Sequence, residues 1–199
     1  MKKAVSVFLA ALILCASLAC ALAQPIAWSG DSCKYAYLPI ELTGPLDTRT
    51  GPGANYDEPG SFLAAGDSVT LLSRFYDGSA KMWWVHVEFS DNEKLYRVYA
   101  DEKQFPDLNL KKLPEEYEFG TCTLPGKSVT GYYGPGEEYA AIERKLPKNA
   151  SCTIFGYTTR AKGDYVQIEC YDNGLKKTRR AWVPVSAVND LELSFAVGM

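Results

Sequence analysis

The sequence predicts an all-β protein made of two tandem small barrels, five strands each, and three observations carry that expectation. The phrase Gly51-Pro52-Gly53-x-x-Tyr56 returns 83 residues later as Gly134-Pro135-Gly136-x-x-Tyr139. The same offset carries Leu46 onto Val129, Leu63 onto Leu146, Leu71 onto Ile154 and Arg97 onto Arg180, and it carries Asp107-Leu108-x-Leu110 onto Asp190-Leu191-x-Leu193. Self-similarity at a fixed period means one structural unit used twice. Second, the runs between turn signals alternate apolar and polar residues with period two. Third, outside the first residues no stretch keeps a helical period beyond about one turn.

The elements follow in order. Lys2 and Lys3, the apolar run Ala4 to Ala19 and the tripeptide Ala21-Leu22-Ala23 describe a secretory signal peptide over 1–23, cut before Gln24. An uncleaved anchor and a lipid-bearing Cys20 are the alternatives; Ser17 stands where a lipoprotein signal usually has Leu. No later segment is long and apolar enough to span a bilayer, so the chain is expected to be secreted or held at the cell envelope, with no membrane span after cleavage. Loss of the two lysines leaves 19 basic against 24 acidic residues, which disfavours nucleic acid as a partner. The remaining length suits two small domains, each near the lower limit for a self-sufficient core.

The first barrel is expected over 34–110 and the second over 117–195, joined by 111–116, a charged stretch interrupted by Pro114. Each begins with an extended segment (Tyr35 to Ile40; Tyr117 to Thr123) and a loop ending in Gly-Pro-Gly, where proline fixes φ and the glycines permit left-handed geometry. A strand follows from Asp67 to Phe75, matched by Ala150 to Tyr157. In the third strand, Val85, Val87 and Phe89 share one face while Trp84, His86 and Glu88 take the other. Its counterpart is Tyr165 to Cys170. A fourth strand runs from Leu95 to Ala100 and from Thr178 to Val183, and Leu108-x-Leu110 and Leu191-x-Leu193 close the units.

Four cysteines remain after export: Cys33, Cys122, Cys152 and Cys170. An even number in a secreted chain is read first as disulfides, with three connectivities open. A hairpin turning near Thr159 to Lys162 sets Cys152 opposite Cys170, close enough to bridge, which leaves Cys33 with Cys122. Four reduced thiols are the competing state. No Cys-x-x-Cys spacing occurs, so no metal site is expected, and no cofactor motif is present. Catalysis has thin support. The single histidine, His86, sits mid-strand and reads as a surface residue, and nothing around Cys33 resembles a nucleophile elbow. Glu115-Glu116 and Glu137-Glu138 read as solvated loop charge. Lys176, Lys177, Arg179 and Arg180 read as a solvated basic hairpin. The chain is expected to be non-catalytic.

The run Leu46-Asp-Thr-Arg-Thr-Gly-Pro-Gly-Ala-Asn-Tyr56 resembles the signature of bacterial SH3-like domains, and Leu63-Ala-Ala-Gly66-Asp-Ser-Val69 and Trp84-Val-His-Val are similar to that family's next turn and central strand. The second repeat keeps Gly134-Pro-Gly-x-x-Tyr139 and Trp182-Val-Pro-Val, with Tyr132 in place of Arg49, Asn149 in place of Gly66 and Tyr165 in place of Trp84. The resemblance implies a pair of barrels in an exported bacterial protein that targets cell-wall peptidoglycan or envelope peptides. It implies a groove lined by Arg49, Tyr56, Trp84 and Tyr99 in the first repeat and by Tyr139, Tyr165, Trp182 and Pro184 in the second, where flat amphipathic rings suit sugars or extended peptides. Docking to another exported protein is the main competing role, and service as an accessory of a wall hydrolase is a more distant one.

Overall fold

The structure is a computed structural model that describes residues 34–60 and 63–194. The predicted signal peptide, Cys20 and Cys33 therefore lie outside the described residues. The chain forms two five-stranded antiparallel sheets. The first holds β1 (Leu38–Glu41), β2 (Thr48–Arg49), β3 (Ser68–Asp77), β4 (Met82–Asp91) and β5 (Lys94–Asp101) in the order β1-β3-β4-β5-β2. The second holds β6 (Gly120–Thr123), β7 (Ser151–Arg160), β8 (Gly163–Asp172), β9 (Lys177–Pro184) and β10 (Asn189–Leu193) in the order β10-β6-β7-β8-β9.

Neither sheet is the closed barrel that the sequence suggested. Closure requires the first and last strands to share a ladder, and here β1 and β2 end one sheet while β10 and β9 end the other. The fifth strand of repeat one also differs from expectation. Leu108-x-Leu110 makes a turn that leads into a 3-10 turn over Leu110–Lys112, and the short β2 supplies the fifth strand instead. Proline explains this. Asn189 pairs with Thr123 where β10 joins β6, and the residue 83 positions earlier is Pro106, which has no N–H to give a ladder.

The repeat register shifts once and recovers. The β3–β4 turn takes four residues (78–81) and its counterpart takes two (161–162), whereas the β4–β5 turn takes two (92–93) and its counterpart takes four (173–176). Asn92 and Glu93 have φ of 48° and 64°, the doubly left-handed geometry that matches a two-residue hairpin to strand twist. As a result Glu88 and Glu169 occupy the same place in the two sheets, each paired in register with an arginine (Arg97 or Arg180).

Each long strand is buried on both faces. Val85, Val87 and Phe89 join Leu71, Val98 and Ala100 in the first core. Val166, Ile168 and Cys170 join Ile154, Ala181 and Val183 in the second. The opposite faces, led by Trp84 and His86 in one sheet and Tyr165 and Gln167 in the other, are buried as well, because the two sheets turn those faces toward each other. A bulge at Leu72 in β3 and one at Phe155 in β7 add a residue at matching positions and bend both strands into this arrangement.

The first glycine of each Gly-Pro-Gly answers to contact and not to φ. Neither Gly51 nor Gly134 has a positive φ, but a Cβ would lie 2.2 Å from the Tyr56 ring at Gly51 and 2.0 Å from the Tyr139 ring at Gly134. The tyrosine five residues on folds back over the bare glycine. Gly134→Ala is expected to lower stability by about 1–3 kcal/mol through overpacking, read from urea melts. Gly44→Ala, whose Cβ meets nothing within 4 Å, should stay within about 0.5 kcal/mol of the parent.

Candidate functional site

The sheet faces meet through a buried polar cluster organised by Glu116, a residue of the stretch that joins the repeats. Pro114 C=O accepts from Arg74 N–H, and Glu116 N–H donates to Arg74 C=O, both at 2.8 Å, so this stretch runs beside β3. Its register sends Glu115 outward to Arg74 and Glu116 inward, where 4% of the side chain is exposed. That corrects the reading of Glu116 as solvated linker charge. The main-chain bonds to β3 fix which side of the stretch faces the protein.

Glu116 Oε1 accepts from Ser73 Oγ at 2.5 Å and lies 2.6 Å from His86 Nδ1. Oε2 accepts from Tyr99 OH at 2.8 Å and from Arg180 Nη1 at 3.4 Å. Gln167 Nε2 donates to Tyr99 OH at 3.1 Å, and the His86 and Tyr99 rings stack at 4.3 Å. Repeat one, the linker and repeat two thus meet at a single carboxylate. His86 is fully buried and is not the surface residue that the sequence suggested; its strand is covered on both faces. Ser73, His86 and Glu116 are the residue types of a hydrolytic triad, but a triad places its nucleophile and its carboxylate on different ring nitrogens. Here both meet Nδ1, and Nε2 has no partner among the described residues.

Two reciprocal arms flank the cluster. Tyr139 OH of repeat two donates to Glu88 Oε2 of repeat one at 2.6 Å, and Arg97 Nε donates to the same oxygen at 2.7 Å. Tyr56 OH of repeat one donates in turn to Glu169 of repeat two, which also accepts from Arg180 Nε at 2.9 Å. Each copy of the Gly-Pro-Gly-x-x-Tyr phrase therefore spends its tyrosine on the other repeat. Burial and the Glu169 carboxylate push the Tyr56 phenol up, and burial and Glu88 do the same to Tyr139. Arg180 lies between Phe155 (3.8 Å to the ring centroid) and Phe75 (4.8 Å), which themselves meet edge-on. Arg179 and Arg180 are buried, contrary to the solvated basic hairpin expected there, because strand alternation turns Arg180 to Glu169 and Glu116, while Arg179 donates to the Lys145 and Arg144 carbonyls.

Of the eight residues expected to bind a ligand, five are buried: Trp84, Tyr99, Tyr139, Tyr165 and Trp182. Pro184, Arg49 and Tyr56 are half-buried. Arg49 and Tyr56 come together in a groove of about 570 Å³ between the repeats, with Asp57 and Thr50 from repeat one and Lys177 and Arg179 from repeat two. No local signal in the sequence marks this groove, since its walls come from segments of different repeats. Among the described residues no His, Cys, Asp and Glu side chains cluster in a way that could hold a metal, and no helix is long and apolar enough to cross a membrane.

Cys152 stands opposite Cys170, in the register expected of the hairpin, and opposite Cys122 on its other side. All three are free thiols, so the expected Cys152–Cys170 bridge is not formed. The proposed partner of Cys122, Cys33, lies outside the described residues. No protein-family model, curated protein or solved structure was found to match this chain.

Burial raises the Glu116 carboxyl, but His86, Arg180 and the Ser73 hydroxyl outweigh it and hold the group at about 2. An unfolded glutamate titrates near about 4.3. The folded value is the lower one, so this stabilisation is complete above about pH 4.3 and is lost as pH falls toward 2. Urea melts at pH 7 and pH 3 should show Glu116→Gln losing much of the acid sensitivity of the parent. Glu116→Ala should cost about 3–5 kcal/mol at pH 7, because it leaves buried Ser73, Tyr99 and His86 without their shared acceptor and takes one of two carboxylates from Arg180.

Proposed function

We propose that this chain is an exported, non-catalytic binding protein of the bacterial envelope. On this reading two SH3-like units are fused into one rigid body that recognises peptidoglycan or an envelope peptide. The groove between the repeats carries the proposal. Of the residues that the family resemblance marks for ligand contact, Arg49 and Tyr56 line it. A groove of about 570 Å³ falls in the range of small-ligand and peptide sites. The second reading, docking to another exported protein, draws on the buried junction itself. A body that cannot flex between its repeats loses little freedom when it docks.

Residues 24–199 should be retained on purified wall sacculi above a serum-albumin control. The double variant Arg49→Ala with Arg144→Ala alters the groove and should lower the retained fraction severalfold at an unchanged thermal melt, whereas Lys111→Ala with Lys112→Ala should not. Retention no better than albumin would contradict wall binding and leave protein docking as the role to pursue.

A further inference from the structure

The two-fold likeness of the repeats fails at one place, and the failure leaves a strand edge open. In repeat one the outer edge of β5 is filled by repeat two. Arg97 N–H donates to Tyr133 C=O at 3.2 Å, Leu95 N–H to Glu138 C=O at 3.1 Å, and Ala140 N–H to Leu95 C=O at 3.0 Å. The matching positions on β9 are Thr178 and Arg180. Tyr132 covers that edge only at Trp182, with bonds of 2.8 and 2.9 Å in the two directions.

Strand alternation fixes where the other groups point. Trp182 turns its N–H and C=O away from β8 toward Tyr132, so Arg180 and Thr178, two and four residues back, turn theirs to the same side. Among the described residues no main-chain group meets them there. The segment of repeat one that corresponds to Tyr133 and Ala140 is Thr50 and Asp57, closed on itself by Thr50 N–H to Asp57 C=O at 2.8 Å. Among the described residues it makes no main-chain bond to β9 and reaches it through side chains, with Asp57 Oδ1 2.5 Å from Lys177 Nζ. The gap is the inter-repeat groove, which Thr50 and Asp57 line from one repeat and Lys177, Arg179 and Arg180 from the other.

We infer that this groove takes an extended, acidic peptide segment that adds as a strand to the Thr178–Arg180 edge of β9. Main-chain bonding at an unpaired strand edge is a general mode of peptide capture. The chain shows such edge bonding on itself, since the segment at Glu138–Ala140 fills the equivalent edge of β5. Acidity follows from charge. Five of the charged side chains lining the groove are basic and three are acidic, and since carboxylates already meet Arg49, Lys177, Arg179 and Arg180, the positive charge left for a guest sits on Arg144. Arg144 is exposed at the groove with no ion-pair partner among the described residues. A carboxylate on alternate residues of the guest would face this basic side. The inference rests on the binding role proposed above and names its ligand class.

Amide exchange followed by NMR on residues 24–199 tests it. In the free protein Thr178 and Arg180 amides should exchange at least ~10-fold faster than Leu95 and Arg97, because the former lack partners. Millimolar acetylated, amidated hexapeptide of alternating alanine and glutamate should slow both amides. The alanine–lysine peptide and a version N-methylated at alternate residues should not, and Arg144→Glu should weaken the effect. Two results overturn the inference: Thr178 and Arg180 protected as well as Leu95 and Arg97 before peptide is added, or no change with the glutamate peptide. Equal protection by the lysine peptide overturns its acidic part. Because sacculus retention is read separately, failure here with retention intact rejects the edge and leaves wall binding standing; loss of both rejects the binding role.

Discussion

One buried carboxylate fixes how the two halves of this protein sit together. Glu116 receives a hydroxyl from Ser73, a phenol from Tyr99 and a guanidinium from Arg180, with the His86 imidazole at 2.6 Å. These partners come from both repeats, and the carboxylate comes from the linker between them. A charge in such a place is costly unless every lone pair is met. That demand ties the linker's register along β3, the stacking of His86 on Tyr99 and the burial of Arg180 into one arrangement. Moving any one of them takes a partner from a carboxylate that is almost wholly buried.

Duplication explains the rest of the junction. A repeat that buries only one face of its sheet leaves a polar face of Trp84, His86 and Glu88 type, and a second copy offers a near-equivalent face to cover it. The tyrosine of each Gly-Pro-Gly-x-x-Tyr phrase then reaches the glutamate of the other copy, Tyr139 to Glu88 and Tyr56 to Glu169. The bare glycine beneath each ring makes the fold-back possible. The two copies are not identical in use. One loop completes the neighbouring strand edge with three main-chain bonds, and the other stops short and leaves a groove.

Strand content, the duplicated plan and the Cys152–Cys170 register were legible because period-two alternation and turn residues are local signals. The second buried face was not. Alternation marks Ser73, His86, Glu88, Arg97, Gln167 and Arg180 as polar, and a polar strand face reads as solvent-facing unless a partner for it is known. For the same reason Glu116 read as linker charge, and the aromatics assigned to a ligand groove proved to be mostly buried. One signal was available in retrospect. Arginine and glutamate recur in register in both copies, Glu88 with Arg97 and Glu169 with Arg180, and paired charges repeated at matched positions suit a buried junction better than a solvated face. Pro106 carried another, since its place in the repeat forbids the strand that Asn189 begins.

If Glu116 and the reciprocal tyrosines make the repeats one body, neither repeat can unfold while the other stays folded. Differential scanning calorimetry of residues 24–199 at pH 7 measures this directly. A single transition whose calorimetric enthalpy equals its van't Hoff enthalpy is the expected result. Two resolved transitions, or a calorimetric enthalpy about twice the van't Hoff value, would mean that the repeats fold independently and that the buried junction does not join them.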